Sequence, residues 1–219
     1  IGANTGEFSA MAASAGADVV ALERDMAAAE RIFGMARERG LRVLPVHADL
    51  ARPTPAVGWE NAESPALLPR LALRFDLVMM LAVIHHLILM EQIPIPAIVA
   101  LMHRLTRRSL IVEWVPVEDP MFQSLMRGRD TLYGGLSETD LLNACDGRFR
   151  VADRHALGNG RVLFLFEYTR PFSADFWRTM VSPSEGFSVL GAFAGVPLAV
   201  WAFCRYKKIG FLRLFDRLE

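Results

Sequence analysis

Apolar and polar positions along this chain fall into alternating helix-length and strand-length blocks. Glu7 to Ala15 is a small-residue helical block stopped by Gly16, and Asp25 to Arg39 is a second stopped by Gly40; both stops predict glycine C-caps. Val19 to Leu22 and Leu41 to Val46 are short apolar runs of strand length. Phe75 to Leu81 is apolar after Asp76, and Ser109 to Val115 is similar, the pattern of parallel strands covered on both faces. Pro65 to Arg74 and Ile95 to Leu105 read as helices. The proline-rich stretch from Pro53 to Asn61 suits neither element and is expected to be a surface loop. Later, Ser137-Glu138-Thr139-Asp140 has the form of a capping box. The runs Arg148 to Ala156 and Arg161 to Tyr168 flank Gly158-Asn159-Gly160, a hairpin signal. Periodicity alone establishes an α/β chain.

The opening six residues, Ile1-Gly2-Ala3-Asn4-Thr5-Gly6, precede a helix, a short strand and the acid Glu23. A small-residue turn, a helix, a strand and a terminal acid make one half of a nucleotide-binding βαβ unit. Gly2 and Gly6 would let backbone approach a ligand, and the first helical turn offers unpaired N–H groups. Counting from Gly2, Asn4 and Glu7 stand where a dinucleotide fingerprint has its second and third glycines. Glu7 would set a carboxylate against a pyrophosphate, and the P-loop lysine is missing. A ligand without phosphates fits better, and S-adenosylmethionine is one. The alternative is a tight strand-to-helix turn of some other α/β protein. Ile1 reads as the last residue of a strand, so the central strand itself is expected to lie before it.

Length and charge narrow the picture. The 219 residues suit one α/β domain, residues 1–168, with an appendage over 169–219. Formal charge is zero, which leaves no electrostatic footprint for nucleic acid. Cys145 and Cys204 have neither metal nor redox spacing, and no signal peptide is visible, so a cytoplasmic setting is expected. Gly186 to Cys204 carries no charge and as a helix would span roughly 28 Å, close to a bilayer core of about 30 Å. Gly191 and Gly195 have a small-xxx-small spacing, and Arg205, Lys207 and Lys208 follow. The positive-inside rule would keep that basic end on the same side as the domain, so a single crossing fits poorly. A re-entrant hairpin near Pro197 or an interfacial helix at the inner face of a membrane resolves this. A soluble helix pair capping the domain, or an oligomer interface, is the other reading.

Ligands in open α/β sheets bind at the carboxyl ends of strands. That rule selects Gly2 to Gly6, Glu23-Arg24, Asp49-Leu50, Ala82 to His86, and Glu113 to Pro116. Glu23 can accept from both ribose hydroxyls, Asp49 from an adenine amino group, and Leu50 can pack on the ring. Asp49 is equally suited to be a helix N-cap, and Glu23 to be a solvated strand end. His85 or His86 could serve as a base, since imidazole titrates near neutrality, but neighbours at a helix start point in different directions. No third ligand lies at metal spacing. Glu113 would be costly if buried unpaired, so it is a pocket residue or an arginine's partner.

Four segments together narrow the reading: Ile1 to Ser9; Pro53 to Trp59 with Asn61 and Glu63; Leu81 to Leu87; and Ile111 to Pro116. Their order and separation resemble a subgroup of class I S-adenosylmethionine-dependent methyltransferases, one related to a rhizobial nodulation protein, over residues 1–168. The resemblance implies a Rossmann-like sheet, mostly parallel with a closing antiparallel hairpin. It also implies S-adenosylmethionine as cofactor, with Gly2, Ala3, Asn4, Thr5, Gly6, Glu23, Arg24, Asp49 and Leu50 around it. His85, His86 and Glu113 would lie on the acceptor side. Methyl transfer to an oxygen or nitrogen nucleophile is the implied reaction, with a small-molecule or glycan-like acceptor left open. Asn4 replaces the usual middle glycine, and the family's acid for the methionine end would precede Ile1. The competing readings are a silent Rossmann-like module binding a nucleotide or a partner at a membrane, and an NAD-dependent oxidoreductase, which the glycine spacing disfavours.

Overall fold

The structure, a computed structural model, describes residues 1–169. The expectations for Gly186 to Cys204 and the basic stretch beyond lie outside these residues. Among the described residues no helix is long and apolar enough to cross a membrane.

The first half alternates helix and strand: α1 (Glu7–Ser14), β1 (Val19–Glu23), α2 (Met26–Glu38) and β2 (Val43–His47). Asp25 caps α2 by accepting from the Ala28 N–H at 3.0 Å, and Ala28, Ala29, Ile32 and Ala36 form its buried stripe. After β2 the chain is irregular as expected, apart from one 3₁₀ turn at Trp59–Asn61 and a bridge between Val57 and Ser64. The expected helix from Pro65 to Arg74 is confined to α3 (Leu67–Leu71), because Ala72 turns extended and Leu73 adopts a left-handed φ of 52°.

β3 (Phe75–Met80), α4 (Ile84–Leu89), α5 (Ile95–Leu105) and β4 (Thr106–Trp114) follow. Then come α6 (Pro120–Met126), α7 (Asp130–Tyr133), α8 (Glu138–Cys145), β5 (Phe149–Ala156) and β6 (Val162–Tyr168). Asp140 accepts from the Ser137 N–H at 2.8 Å in the capping box of α8. Gly160, with φ of 82°, closes the turn between β5 and β6 as the left-handed residue of a short hairpin loop.

β1 and β2 pair in parallel, and a second sheet has the order β3-β4-β6-β5. β3 and β4 are parallel, whereas β6 runs antiparallel to both β4 and β5. The parallel pattern thus covers β1 to β4 only, and the sheet is mixed rather than mostly parallel. Residues Ile1–Ala3 hold the place between β1 and β3. The Ala3 N–H donates to the Leu22 carbonyl at 3.1 Å, and the Ile1 nitrogen donates to the Met79 carbonyl at 2.9 Å. The core beside the second sheet is built on Met80, Leu110, Phe122, Phe164 and Phe166, all fully buried. Each such side chain contributes about 1.5–3 kcal/mol by leaving water.

Candidate functional site

The opening turn meets the end of β1 at Glu23 and the loop after β3 at Val83, and β1 and β2 end side by side. The opening turn uses left-handed backbone at Gly2 (φ 63°), Asn4 (φ 49°) and Gly6 (φ 87°). A β-carbon on Gly2 would stand 2.5 Å from Val83 Cγ2, and one on Gly6 would stand 2.9 Å from Ile32 Cγ1. Close packing against the loop after β3 and against α2 therefore requires these glycines. Ala3 accepts from the Gly6 N–H at 2.8 Å, Thr5 is exposed, and no side chain caps α1. The first-turn amides of α1 thus keep their outward-facing donors uncapped by side chains, with Glu7 beside them.

Glu23 ends β1 and is only 9% exposed. One of its oxygens accepts from the Asn4 N–H at 2.7 Å and the other from the Asp25 N–H at 2.9 Å. The carboxylate therefore ties the left-handed turn to the strand end. Each oxygen retains a second acceptor direction. Glu23 pairs with His47 across the sheet, so Asp49 lies just beyond the neighbouring strand end.

No helix follows Asp49, so it caps none; its carboxylate closes a loop instead. It accepts from the Ala51 N–H at 2.8 Å and pairs with Arg52 at 3.0 Å. Burial would raise its carboxyl, yet these donors hold it below the usual carboxylate range. Leu50 packs against the core instead of standing free. Arg24 and Arg52 both reach Glu91, at 3.3 and 2.6 Å. Glu91 thereby fastens the loop after β1 to the loop after β2, a role without any sequence signal.

The two histidines diverge, as expected of neighbours at a helix start. Burial, then Arg24, lowers His86, whose Nδ1 lies 3.4 Å from Met90 Sδ. His85 is 2% exposed, and neither ring nitrogen has a hydrogen-bond partner. Burial first, then His86 and Arg161, push it down to about 4. The His85 ring is therefore neutral at pH 7 and a weaker base than a free imidazole.

Glu113 resolves as an arginine's partner. It pairs with Leu163 in the ladder, so Arg161, two residues earlier on β6's side, shares its face. Arg161 donates to Glu113 at 3.0 Å and to Asp119 at 2.8 Å. Asp119 also caps α6, accepting from the Met121 N–H at 2.8 Å. Burial would raise the Asp119 carboxyl, but Arg161 and the Met121 amide hold it low. Sequence reasoning passes over α6, although Asp followed by Pro is a helix-start signal. Nothing in the sequence links Arg161 to Glu113.

A cleft of about 730 Å³ is lined by other residues, among them Gln92, Pro94, Leu132, Tyr133 and Asn143. Cys145 is buried on α8, and burial pushes its thiol up to about 12, which removes it as a nucleophile.

No family model matches the chain. It is 29% identical over 169 residues to nodulation protein NoeA of Rhizobium meliloti (strain 1021), covering 76% of this chain and 35% of NoeA. The chain therefore spans about a third of that relative's length. In fold it is similar to part of the bifunctional kinase-methyltransferase WbdD, with a TM-score of 0.54, 19% identity, and coverage of 75% of this chain and 33% of WbdD. A structure from work on the conversion of a disulfide bond into a thioacetal group during echinomycin biosynthesis gives a TM-score of 0.54 at 16% identity, covering 85% of this chain and 81% of that one. In sequence, then, the chain is similar to a rhizobial nodulation protein, and its fold is similar to that of the class I S-adenosylmethionine-dependent methyltransferases that its motifs resemble.

Proposed function

We propose that the chain is a methyltransferase that takes its methyl group from S-adenosylmethionine and passes it to an oxygen or nitrogen nucleophile. One observation carries this reading: the Glu23 carboxylate holds the Asn4 amide of the opening turn. This bond supports reading turn, uncapped helix start and strand-end acid as one site. The donor set suits a ligand with a diol and no phosphate. The free acceptor directions of Glu23 match ribose hydroxyls, while Glu7 in the first turn of α1 repels a phosphate.

Gly2, Ala3, Asn4, Thr5 and Gly6 would form the floor under the cofactor, with Glu23 at the ribose. Arg24, Asp49 and Leu50 would border the adenine side, and Glu91 would keep that border closed. When bound, the cofactor supplies a methyl group already activated by a sulfonium. The chain's own work is then alignment of the nucleophile and exclusion of water, which calls for few obligatory residues.

The test is calorimetry of the full chain with S-adenosylhomocysteine and separately with NAD, followed by transfer of label from methyl-tritiated donor to a cell extract. Binding of the homocysteine product with labelling of an acceptor supports the reading. Binding without labelling favours a silent nucleotide- or partner-binding module. Preferential binding of NAD overturns it in favour of an oxidoreductase.

A further inference from the structure

We propose that two adjoining clefts beside α7 bind a single-chain anionic amphiphile, with its hydrocarbon chain against their apolar walls and its anionic head on their arginines. The proposal stands apart from the methyltransferase reading, since no residue assigned to the cofactor lines either cleft.

Shape is the first ground. The larger cleft, about 730 Å³, has the size of a site for one small ligand. Ile88, Ile93, Ile95, Leu132 and Leu136 give it apolar walls. A second cleft of about 250 Å³ adjoins it. The consecutive residues Ile88, Leu89 and Met90 are divided between the two, and Arg129 of the smaller lies 5.3 Å over the Tyr133 ring of the larger. Leu132 is 70% exposed and Met90 48% exposed, so a hydrocarbon chain lying here would remove apolar surface from water.

Charge is the second ground. Arg127, Arg129 and Arg148 line the clefts, and none of them pairs with a carboxylate among the described residues. Arg129 is half-buried and fixed, because its Nε and Nη2 donate to the Met126 and Leu125 carbonyls at 3.0 and 2.9 Å. Its Nη1 is left over for a ligand. Arg148 is also half-buried, with only a long 3.5 Å contact to the Ala144 carbonyl. The carboxylate that lines the larger cleft, Asp140, is engaged through Oδ2 by the Ser137 N–H and hydroxyl at 2.8 and 2.9 Å. Asp130, next to Arg129 in the chain, lines neither cleft, and Glu91, next to Gln92, is held by Arg24 and Arg52. Three guanidinium groups against one engaged carboxylate leave net positive charge beside apolar walls. That combination selects a hydrocarbon body with an anionic end. A cation of equal length would be repelled, and an anion without a chain would bury too little. The concave walls take one chain at a time, so the ligand is a single molecule and not a lipid surface.

The chain has three tyrosines, so fluorine-19 NMR of the full chain labelled with 3-fluorotyrosine can follow Tyr133, assigned by loss of its signal in Tyr133→Phe. Decanoate is titrated below its micelle concentration. Decyltrimethylammonium is the cationic counterpart, acetate the head alone, and phosphatidylglycerol vesicles the lipid surface. The expected result is a saturable shift of Tyr133 with decanoate, about tenfold weaker with decyltrimethylammonium and missing with acetate. Arg129→Gln combined with Arg148→Gln is expected to weaken decanoate about tenfold, the scale of one lost charge-assisted hydrogen bond. Where that pair does not fold, Leu132→Glu, at an exposed position, sets a like charge in the cleft and should abolish the shift. A Tyr133 signal indifferent to decanoate, an equal response to decyltrimethylammonium, undiminished affinity in these variants, or a response to vesicles alone overturns the proposal.

Discussion

Replacing Glu23 by Gln tests the joint between the turn and the strand end. The carboxylate accepts two backbone N–H groups through different oxygens, from Asn4 at 2.7 Å and Asp25 at 2.9 Å. An amide has a single acceptor oxygen, so one of the two donors would face an NH₂ group. Hydrogen bonds to a charged partner contribute about 1.5–3 kcal/mol each, and an unsatisfied buried donor costs about 1–3 kcal/mol. The Asp25 end can turn to solvent, whereas Asn4 is held in left-handed backbone by this bond. Glu23→Gln should therefore destabilise the fold by about 2 kcal/mol, and Glu23→Ala by about 3 kcal/mol because both bonds go. Loosening the turn should also weaken S-adenosylhomocysteine about tenfold, or roughly 1.4 kcal/mol. Urea unfolding followed by circular dichroism measures the first effect and calorimetry the second. A Glu23→Gln chain with wild-type midpoint and affinity would refute the reasoning.

Arg161→Met strands Glu113 and Asp119, 13% and 6% exposed at the side chain, without their cation. Removing one partner of a fully buried pair costs about 3–5 kcal/mol; with Arg161 itself 22% exposed, about 2–4 kcal/mol is expected in urea midpoints. Asp119 is held below its unfolded range, so the stability it contributes is present above about pH 4 and lost as pH falls through the lower folded value. That acid loss should shrink in Arg161→Met, and midpoints compared between pH 6 and pH 3 will show whether it does. His85, faced by His86, Arg161 and Asp119, titrates at about 4 instead of 6.5. The unfolded chain takes up its proton first, so stability should fall by up to about 3 kcal/mol as pH drops from 6.5 to 4 and then level off. His85→Phe should abolish this component, and an unchanged pH profile would contradict it. Gly2→Ala places a methyl 2.5 Å from Val83 Cγ2 at a φ of 63°. Its cost should be smaller in a Val83→Ala background, measured as a double-mutant cycle, because the two atoms collide. Additive losses would remove that contact as the cause.

What could be read from the sequence was whatever depends on neighbours along the chain. Ile95, Ile98, Val99, Met102 and Leu105 repeat at helical spacing, and they are the residues α5 buries. Gly16 and Gly40 end their helices in left-handed backbone, with φ of 96° and 61°. Asp25, Ser137 and the turn at Gly158 to Gly160 carry their own local chemistry. The strand-end rule likewise points to Glu23 and Asp49, which stand at or just past the ends of β1 and β2. What could not be read is pairing at a distance. Arg161 meets Glu113 across 48 positions, and Glu91 meets Arg24 across 67. Which of two adjacent histidines turns inward depends on α6, whose short apolar stretch carries too little periodicity to announce itself. The packing need for Gly2 is hidden for the same reason, since Val83 arrives from 81 positions away.

Glu91 is a single hub for Arg24 and Arg52, whose side chains are 56% and 69% exposed against its own 11%. Exposed pairs of this sort hold weakly and are screened by salt. Because both straps share one buckle, brine should slacken the two loops together rather than in turn. On the proposed cofactor reading, the grip on an adenine would then vary with ionic strength even though that ring bears no charge.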